Sequence, residues 1–220
     1  SIDNGETWES IMDVPPVAGS NSVVKLGDTI LWAGNECLRT LDYGNSWSYV
    51  MGGFYFPNYS LVYWDFVEDY MWMGYQSTHF SDNEGASWFG PIYNYEVETD
   101  YFTKIVSHSD ITIAVSVTQD LYFSDGDFHH WEPLATNLPE PRNIQHVISV
   151  GSKLFMVNNG ENLISEDNGL TWTNVGSVPY FSNYGMLVHG DLIFAVSPYL
   201  IEFEHFVSSD FGESWSPLVG

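Results

Sequence analysis

Two stretches of the chain carry the same pattern of aromatic and amide side chains. They are Tyr55-Phe56-Pro57-Asn58-Tyr59 and Tyr180-Phe181-Ser182-Asn183-Tyr184, which share the form Tyr-Phe-x-Asn-Tyr. Rings with polar tips beside amide groups suit the faces and hydroxyls of sugars, and they also suit an extended peptide. The sequence therefore predicts ligand contacts at Tyr55, Phe56, Asn58, Tyr59, Tyr180, Phe181, Asn183 and Tyr184. The alternative is that these rings fold inward and fill the interior.

A third aromatic stretch has a different composition and adds carboxylates. Tyr95 and Tyr101 flank the acidic residues Glu96, Glu98 and Asp100. We add Tyr95 and Tyr101 to the predicted ligand contacts. Polar residues in other loops extend the candidate surface, and these are Asn35, Glu36, Gln76, Gln119, Asn158, Asn159 and Tyr199.

The charge of the chain limits the partners that these residues can serve. The formal net charge is −24, from 29 acidic residues against five Lys and Arg. Nucleic acids and anionic lipids need basic contacts, so the sequence excludes nucleic-acid binding. The acidity fits solubility, a salty or Ca²⁺-bearing extracellular medium, or a cationic partner. No apolar run has the length that crosses a bilayer, so we expect no membrane insertion.

Metal and redox chemistry have little support in the sequence. The single cysteine, Cys37, permits no internal disulfide, and we expect it to pack in a strand. His129 and His130 are adjacent, but a His pair without further ligands is weak evidence for zinc. We therefore expect no cofactor and no metal.

An eight-residue pattern, Ser/Thr-x-Asp-x-Gly-x-Ser/Thr-Trp, recurs along the whole chain and must position these loops. We call this pattern the motif. Its close copies begin at Ser1, Thr40, Ser81, Ser165 and Ser208, and a degenerate copy runs from Ser124 to Trp131. The final tryptophans are Trp8, Trp47, Trp88, Trp131, Trp172 and Trp215, which lie 39 to 43 residues apart.

A period of about 40 residues with short β-rich runs is typical of a β-propeller built from four-stranded blades. First strands are predicted at 22–26, 60–66, 102–106, 146–150 and 185–189. Second strands are predicted at 29–33, 70–73, 111–115, 153–157 and 192–196. We expect a single all-β propeller, or part of one, over residues 1–220, with repeat units at roughly 9–47, 48–88, 89–131, 132–172 and 173–215.

The motif resembles the Asp-box, or bacterial neuraminidase repeat. The resemblance implies a hairpin between the third and fourth strands of each blade, with a tryptophan wedged between blades. Its structural residues here are Asp3, Trp8, Asp42, Trp47, Asn83, Trp88, Trp131, Asp167, Trp172, Asp210 and Trp215. The degenerate copy should form a different turn. We assign no catalytic residue to the motif, because its carboxylates can accept backbone N–H groups in the turn.

The same resemblance raises three functions. Sialidases of this kind hold the substrate carboxylate with three arginines, whereas this chain has only Arg39 and Arg142. Xyloglucan-cleaving glycosidases need two carboxylates flanking the scissile bond, and Glu96, Glu98 and Asp100 are the best-placed candidates. Sortilin-type receptors and assembly factors for photosystems or surface proteins are non-catalytic members that bind polypeptide.

The two ends of the sequence offer the same strand of a blade, the fourth, so they cannot complete each other. The chain also begins inside a motif, which suggests a processed or trimmed chain. We therefore expect part of a larger ring of six to eight blades, or a second chain that supplies the missing strands. A five-bladed ring with an extra hairpin is the alternative.

The sequence predicts a non-catalytic recognition propeller, extracellular or at the cell surface, that binds carbohydrate. The aromatic loops would lie on the face opposite the motif hairpins. The first alternative is a protein-binding scaffold, receptor or assembly factor. The second is a glycosidase of the xyloglucan-cleaving type. Sialidase activity is disfavoured.

Overall fold

The computed structural model describes residues 22–26, 28–33, 37–50, 63–67, 70–74, 78–92, 102–126, 130–177, 185–196 and 205–218. These residues form strands, turns and bends, and none of them is helical. The described part of the chain accordingly offers no helix with the length and apolar character that crossing a bilayer requires. The predicted all-β class is confirmed.

The chain divides into two compact units, residues 1–92 and 93–220. The first unit contains two four-stranded sheets. The first sheet has strands β1 (Ser22–Leu26), β2 (Thr29–Ala33), β3 (Cys37–Thr40) and β4 (Ser48–Tyr49). The second sheet has β5 (Tyr63–Val67), β6 (Tyr70–Gly74), β7 (Thr78–Ser81) and β8 (Phe89–Ile92).

The second unit contains three further four-stranded sheets. The third sheet has β9 (Phe102–His108), β10 (Ile111–Ser116), β11 (Leu121–Ser124) and β12 (Glu132–Pro133). The fourth has β13 (Ile144–Val150), β14 (Lys153–Asn158), β15 (Glu161–Ser165) and β16 (Thr173–Ser177). The fifth has β17 (Gly185–His189), β18 (Leu192–Val196), β19 (His205–Ser208) and β20 (Ser216–Leu218).

Every sheet is an antiparallel meander in which neighbouring strands follow one another in sequence. Short polar turns join the first two strands of the third, fourth and fifth sheets, and the motif joins the third strand to the fourth where all of its residues are described. This is the construction of a propeller blade, as the period of the tryptophans predicts. The predicted bounds of the first two strands are matched in the first and fifth sheets.

Strands of the third and fourth sheets extend past their predicted bounds. β9, β10 and β14 end at His108, Ser116 and Asn158, one or two residues later than predicted. The fourth sheet also differs at its start. Its first strand begins at Ile144 rather than His146, because pairing continues to Asn158 past an irregular register between Ile144 and His146. A bulge of this kind interrupts the two-residue alternation on which the sequence prediction depends. The single-propeller boundaries and the ring size stay predictions.

The core of the second unit lies between the faces of successive sheets. Val106, Ile113 and Val115 of the third sheet pack with Val147, Leu154, Met156 and Leu163 of the fourth. On the other face of the fourth sheet, Phe155 and Val157 pack with Ile193, Ala195 and Phe206 of the fifth. The apolar residues alternate along β14, so the fourth sheet presents one set to the third sheet and the other set to the fifth.

Candidate functional site

Each sheet has two ends with different chemistry. We call the end that carries the motif hairpin and the turn between the first and second strands the motif end. The opposite end carries the turn between the second and third strands and the loop to the next sheet, and we call it the loop end. The sequence analysis assigns the predicted ligand contacts to the loop end, and this assignment stays a prediction.

At the motif end, the copy Ser165–Trp172 closes its hairpin through a carboxylate and a hydroxyl. Asp167 Oδ1 accepts the backbone N–H of Thr171 at 2.8 Å, and its Oδ2 accepts the Thr171 hydroxyl at 2.6 Å. The Ser165 hydroxyl donates to Asp167 Oδ1 at 2.9 Å and accepts the buried N–H of Gly169 at 2.8 Å. The polar groups of the turn are thereby satisfied within eight residues.

Two other copies repeat this geometry with an aspartate. Asp42 Oδ1 accepts the N–H of Ser46 at 2.8 Å, and Asp210 Oδ1 accepts that of Ser214 at 2.9 Å. Hydrogen bonds from the Ser46 hydroxyl and amide lower the pKa of Asp42 to about 2. The same bonds from Thr171 and Ser214 lower the pKa of Asp167 and Asp210. These carboxylates are ionised acceptors, a state that does not suit a general acid.

The third copy shows that a carboxylate is not required. Asn83 Oδ1 accepts the N–H of Ser87 at 2.9 Å, and Asn83 Nδ2 lies 2.6 Å from the Ser87 hydroxyl oxygen. The Ser81 hydroxyl accepts the N–H of Gly85 at 2.8 Å, as in the other copies. An amide therefore replaces the carboxylate with the hairpin geometry kept. The first copy, with Asp3 and Trp8, lies outside the described residues.

The motif glycine lets the hairpin touch the neighbouring sheet. Gly85, Gly169 and Gly212 have φ angles of 75°, 84° and 85°, which side-chain-bearing residues rarely adopt. A Cβ at Gly85 would lie 2.9 Å from Leu31, and one at Gly169 would lie 3.0 Å from Leu134 and 3.2 Å from Ile113. A Cβ at Gly212 would overlap the ring of Phe155. Each glycine is therefore a blade-to-blade contact.

The motif tryptophan has the same packing role. Trp172 is buried in the core that the third and fourth sheets share, and its indole N–H donates to the Gly169 carbonyl at 2.9 Å. Trp47 makes the equivalent bond to Gly44 at 3.1 Å. In the last copy, the Gly212 carbonyl instead accepts the side-chain amide of Asn162 from the fourth sheet at 2.9 Å.

The degenerate copy, Ser124–Trp131, has Gly126 where the other copies have aspartate or asparagine. Gly126 holds the third position with a φ of 108°, and a Cβ there would have no neighbour within 4 Å. Residues 127–129 lie outside the described part of the chain. Trp131 nevertheless remains buried against Phe102, with 4.7 Å between the ring centroids. The tryptophan of the degenerate copy is thus buried, like Trp172.

At the loop end, amide side chains fix the loop 134–143 between the third and fourth sheets. Gln119 Oε1 accepts the N–H of Ile144 at 2.6 Å, and Asn158 Oδ1 accepts that of Asn143 at 2.9 Å. Asn159 Nδ2 donates to the Pro141 carbonyl at 2.6 Å. These three sequence-predicted surface candidates therefore hydrogen-bond to the backbone of the loop and of the strand that follows it, and of the three only Asn158 is buried. Asn35, Glu36, Gln76 and Tyr199 lie outside the described residues.

Asn137 forms a contact that the sequence reasoning missed. Its Oδ1 accepts the backbone N–H of Trp172 at 2.8 Å, and its Nδ2 donates to the Trp172 carbonyl at 3.2 Å. The side chain thus imitates a strand and ties the third sheet to the motif of the fourth. No local pattern identifies this asparagine, because its partner is distant in sequence.

Both arginines of the chain are engaged by carboxylates. Arg142 in the loop 134–143 lies 2.8 Å from Asp120 and 2.9 Å from Glu140, with its side chain mostly buried. Arg39 of the first sheet lies 3.5 Å from Glu84, which also accepts the Thr29 hydroxyl at 2.9 Å. Both guanidinium groups thus bind carboxylates of the chain itself. Neither is placed to bind a substrate carboxylate without losing those partners.

The three lysines have different surroundings, and Lys25 is exposed. Lys153 Nζ lies 2.6 Å from Glu166 and 4.7 Å from the ring centroid of Phe211. Lys25 Nζ lies 5.5 Å from the ring centroid of Tyr43. Lys104 is half-buried on β9, and burial lowers its pKa. Burial also lowers the pKa of His108, whose Nδ1 lies 2.9 Å from the Ser149 hydroxyl.

The predicted ligand contacts all fall outside the described residues and stay predictions. They are Tyr55, Phe56, Asn58, Tyr59, Tyr95, Tyr101, Tyr180, Phe181, Asn183 and Tyr184, and Glu96, Glu98 and Asp100 share this status. Within the described ranges, no three His, Cys, Asp or Glu side chains converge as a metal site would require. The site is therefore defined by the loop end that would carry these residues.

Comparison with known proteins agrees with the fold. The model of the family described as "DUF6242 beta propeller domain" matches residues 103–183. No curated protein matches the chain. The structure of YCF48 bound to D1 peptide is similar over 98% of this chain and 73% of its own, with 17% identity and a TM-score of 0.63.

Two further solved structures have the same architecture. The GH74 enzyme of Niastella koreensis is similar over 86% of this chain and 29% of its own, with 18% identity and a TM-score of 0.56. BamB from Moraxella catarrhalis is similar over 82% of this chain and 55% of its own, with 12% identity and a TM-score of 0.51. At these identities the likeness shows a shared β-propeller fold.

Proposed function

We propose that the chain is a non-catalytic recognition propeller that binds an uncharged or cationic ligand at its loop end. The observation that carries this proposal is the state of the basic residues. The chain has five Lys and Arg against 29 acidic residues. Arg39, Arg142 and Lys153 are ion-paired, Lys25 lies over Tyr43, and Lys104 is half-buried.

This distribution opposes anionic ligands. A substrate carboxylate or phosphate needs a bidentate arginine or a free ammonium group. Using Arg142 for that purpose would strip Asp120 and Glu140 of their partner at 2.8 and 2.9 Å. The remaining carboxylates give the surface a negative potential, which repels anions and attracts cations. A sialidase-type reaction, which needs to hold a carboxylate, is disfavoured on this ground.

The motif is assigned a structural role, as the Asp-box resemblance implies. Its carboxylates accept hydrogen bonds within their own hairpins, and its glycines contact the preceding sheet in three copies. Asn83 occupies the aspartate position and accepts the same backbone N–H, while its Nδ2 donates to the Ser87 hydroxyl instead of accepting from it. Catalysis by these aspartates would need a proton transfer that an asparagine cannot make.

The first candidate ligand is a neutral carbohydrate. The two Tyr-Phe-x-Asn-Tyr stretches supply rings that can stack on sugar faces and amides that can bond hydroxyls. An uncharged ligand requires no basic residue, which agrees with the engaged state of the arginines. This function would place the protein outside the cell or at its surface.

The second candidate is a polypeptide, and a specific comparison favours it. The structure of YCF48 that resembles nearly the whole of this chain contains a bound D1 peptide. Here the acidic surface would favour a segment that carries Lys or Arg. The same aromatic loops would then accept the segment in an extended form.

A binding screen separates the candidates. The intact chain is applied to an array of neutral oligosaccharides and to a parallel array of basic and neutral peptides. Tyr55→Ala and Tyr180→Ala test the predicted loops, and Tyr43→Ala is the matched control because Tyr43 is an exposed aromatic residue at the motif end. Oligosaccharide binding lost in the first two variants and kept in the third supports the first candidate, and the same result on peptides supports the second.

Two outcomes contradict the proposal. Equal loss of binding in Tyr43→Ala would assign recognition to the motif end. Release of reducing sugar from a polysaccharide by the wild-type chain, abolished by a substitution at Glu96, Glu98 or Asp100, would make the protein a glycosidase with two working carboxylates.

A further inference from the structure

The contact between the third and fourth sheets contains a buried histidine. His108, the last residue of β9, has only 3% of its surface exposed. Its Nδ1 lies 2.9 Å from the Ser149 hydroxyl oxygen of β13, in the neighbouring sheet. A second hydrogen bond joins the ring to the backbone of Ser152. A neutral imidazole has one donor and one acceptor nitrogen, so it can make both bonds without carrying a charge.

The contact between the fourth and fifth sheets has apolar residues at the same two positions. The pairing of the first two strands aligns His108 of the third sheet with Val150 of the fourth. It aligns Ser149 of the fourth sheet with Val188 of the fifth. Val150 and Val188 belong to the core that the fourth and fifth sheets share. One contact therefore carries a polar His–Ser pair where the next carries two valines.

Few titratable groups lie on the described elements packed around His108, and β10 contains none. The others are Lys104 on β9, Asp110 in the turn after β9, His146 on β13, and Lys153 on β14 with its ion-pair partner Glu166. Asp110 is exposed, and His146 lies three residues from Ser149, on the opposite face of β13. Among the described residues no carboxylate forms an ion pair with His108. A charge on its ring would therefore be buried without a partner of opposite sign.

This environment couples the charge of His108 to the stability of the fold. Burial, the largest cause, lowers the pKa of His108 below its usual 6.5, and the hydrogen bond to Ser152 opposes the shift. A histidine whose pKa is lower in the folded chain stabilises the fold fully above its unfolded pKa of about 6.5. That contribution is lost as the pH falls from about 6.5 through the folded value. The two valines of the next contact have no titrating group.

We propose that the His108–Ser149 pair makes the contact between the third and fourth sheets sensitive to acid. At neutral pH the ring is uncharged and the contact is closed. Protonation in a mildly acidic medium buries a positive charge between the two sheets, so the contact loosens. The contact between the fourth and fifth sheets, with Val150 and Val188, keeps its packing. An acid-sensitive contact thus lies beside an insensitive one.

Urea denaturation at about pH 7.5 and about pH 5 tests the proposal. The double variant His108→Val/Ser149→Val copies the two valines of the neighbouring contact and removes the titrating group. The urea midpoint of the wild-type chain is expected to fall between the two pH values by more than that of the double variant. The control is His130→Gln, which replaces an exposed histidine and should fall as far as wild type. Equal falls in wild type and the double variant would overturn the proposal.

Nuclear magnetic resonance of the wild-type chain locates the effect without any substitution, so it decides the question even if the double variant fails to fold. The ring of His108 is expected to titrate below about pH 6.5. Methyl signals of Val106 and Val147, in the core between the third and fourth sheets, are expected to shift with the ring. Those of Val157 and Ile193, in the core between the fourth and fifth sheets, should shift less. A ring that titrates at or above about pH 6.5, or equal shifts in the two cores, would contradict the proposal.

Discussion

The motif end and the loop end of the fourth sheet are held together by different means. At the motif end, Ser165 and Asp167 bond to groups two to four residues away in the sequence. At the loop end, Gln119 reaches a backbone group 25 residues away, and Asn159 reaches one 18 residues away. The hairpin at the first end is therefore closed by local hydrogen bonds that recur in other copies of the motif. The described loop at the second end depends on contacts that only the assembled fold supplies. Recurring bonds are expected of a structural element, and binding residues are more often carried by loops.

The largest expected effect follows from adding one methyl group to a motif glycine. Gly212→Ala places a Cβ into the Phe155 ring at a φ of 85°, so strain in the backbone adds to overlap in the core. We expect a loss of about 3 kcal/mol in the free energy of unfolding, measured by urea denaturation. Gly190→Ala is the control, with a φ of 59° and no neighbour within 4 Å, and should cost about 1 kcal/mol. Equal losses would break the assignment of Gly212 as a contact between sheets.

A smaller loss is expected when the motif hydroxyl is removed. Ser165→Ala leaves the buried N–H of Gly169 without its 2.8 Å acceptor. An unmade buried hydrogen bond costs about 2 kcal/mol, and urea denaturation again provides the measurement. The exposed Ser209 is the control, and Ser209→Ala should leave stability unchanged. If Ser165→Ala also left the free energy of unfolding unchanged, the hydrogen bonds of the Ser165 hydroxyl would not stabilise the motif end.

The loop end is expected to respond less to loss of its charged cluster. Arg142→Met removes contacts at 2.8 and 2.9 Å to carboxylates that remain partly in solvent. Such pairs contribute about 1 kcal/mol or less, and thermal unfolding at low and high salt measures the contribution. The loss should shrink at high salt because screening weakens the pairs. If Arg142→Met cost more stability than Ser165→Ala, the side-chain contacts of the loop end would stabilise the fold more than those of the motif end, which would contradict the account.

The dependence of stability on pH gives the smallest expected effect. Hydrogen bonds lower the pKa of Asp42 from 3.8 to about 2, and similar bonds lower the pKa of Asp167 and Asp210. A carboxyl whose pKa is lower in the folded state stabilises the fold fully above its unfolded pKa. That contribution is lost as the pH falls from about 4 towards 2.

Asp167→Asn tests this dependence while keeping the bonds that Asn83 makes in its own copy. The variant should lose less stability than wild type as the pH falls below about 4, measured by urea denaturation at each pH. At neutral pH the two proteins should be similar in stability. An unchanged acid slope would show that the hydrogen bonds to Asp167 do not couple to its titration.

The fold could be predicted from the sequence because its signals are local. The tryptophan period, the β-rich runs and the Ser165–Trp172 pattern each depend on neighbours within a few residues, and they led to five sheets of four strands. The start of β13 was wrong by two residues because a bulge near Ile144 depends on pairing with β14. The contacts of Asn137 and Arg142 were missed for the same reason, since their partners are assembled only by folding. Ligand contacts at Tyr55 and Tyr180 rest on composition alone and stay predictions.

The central claim is that the loop end binds the ligand and that the motif end has a structural role. Hydrogen–deuterium exchange with and without the ligand recovered from the binding screen tests it most directly. The amides of the loops around residues 54–59, 93–101 and 180–184 are expected to exchange more slowly when the ligand is bound. The motif hairpins at 40–47, 165–172 and 208–215 are expected to exchange at unchanged rates. Slower exchange confined to the motif hairpins, with the three loops unaffected, would contradict the account.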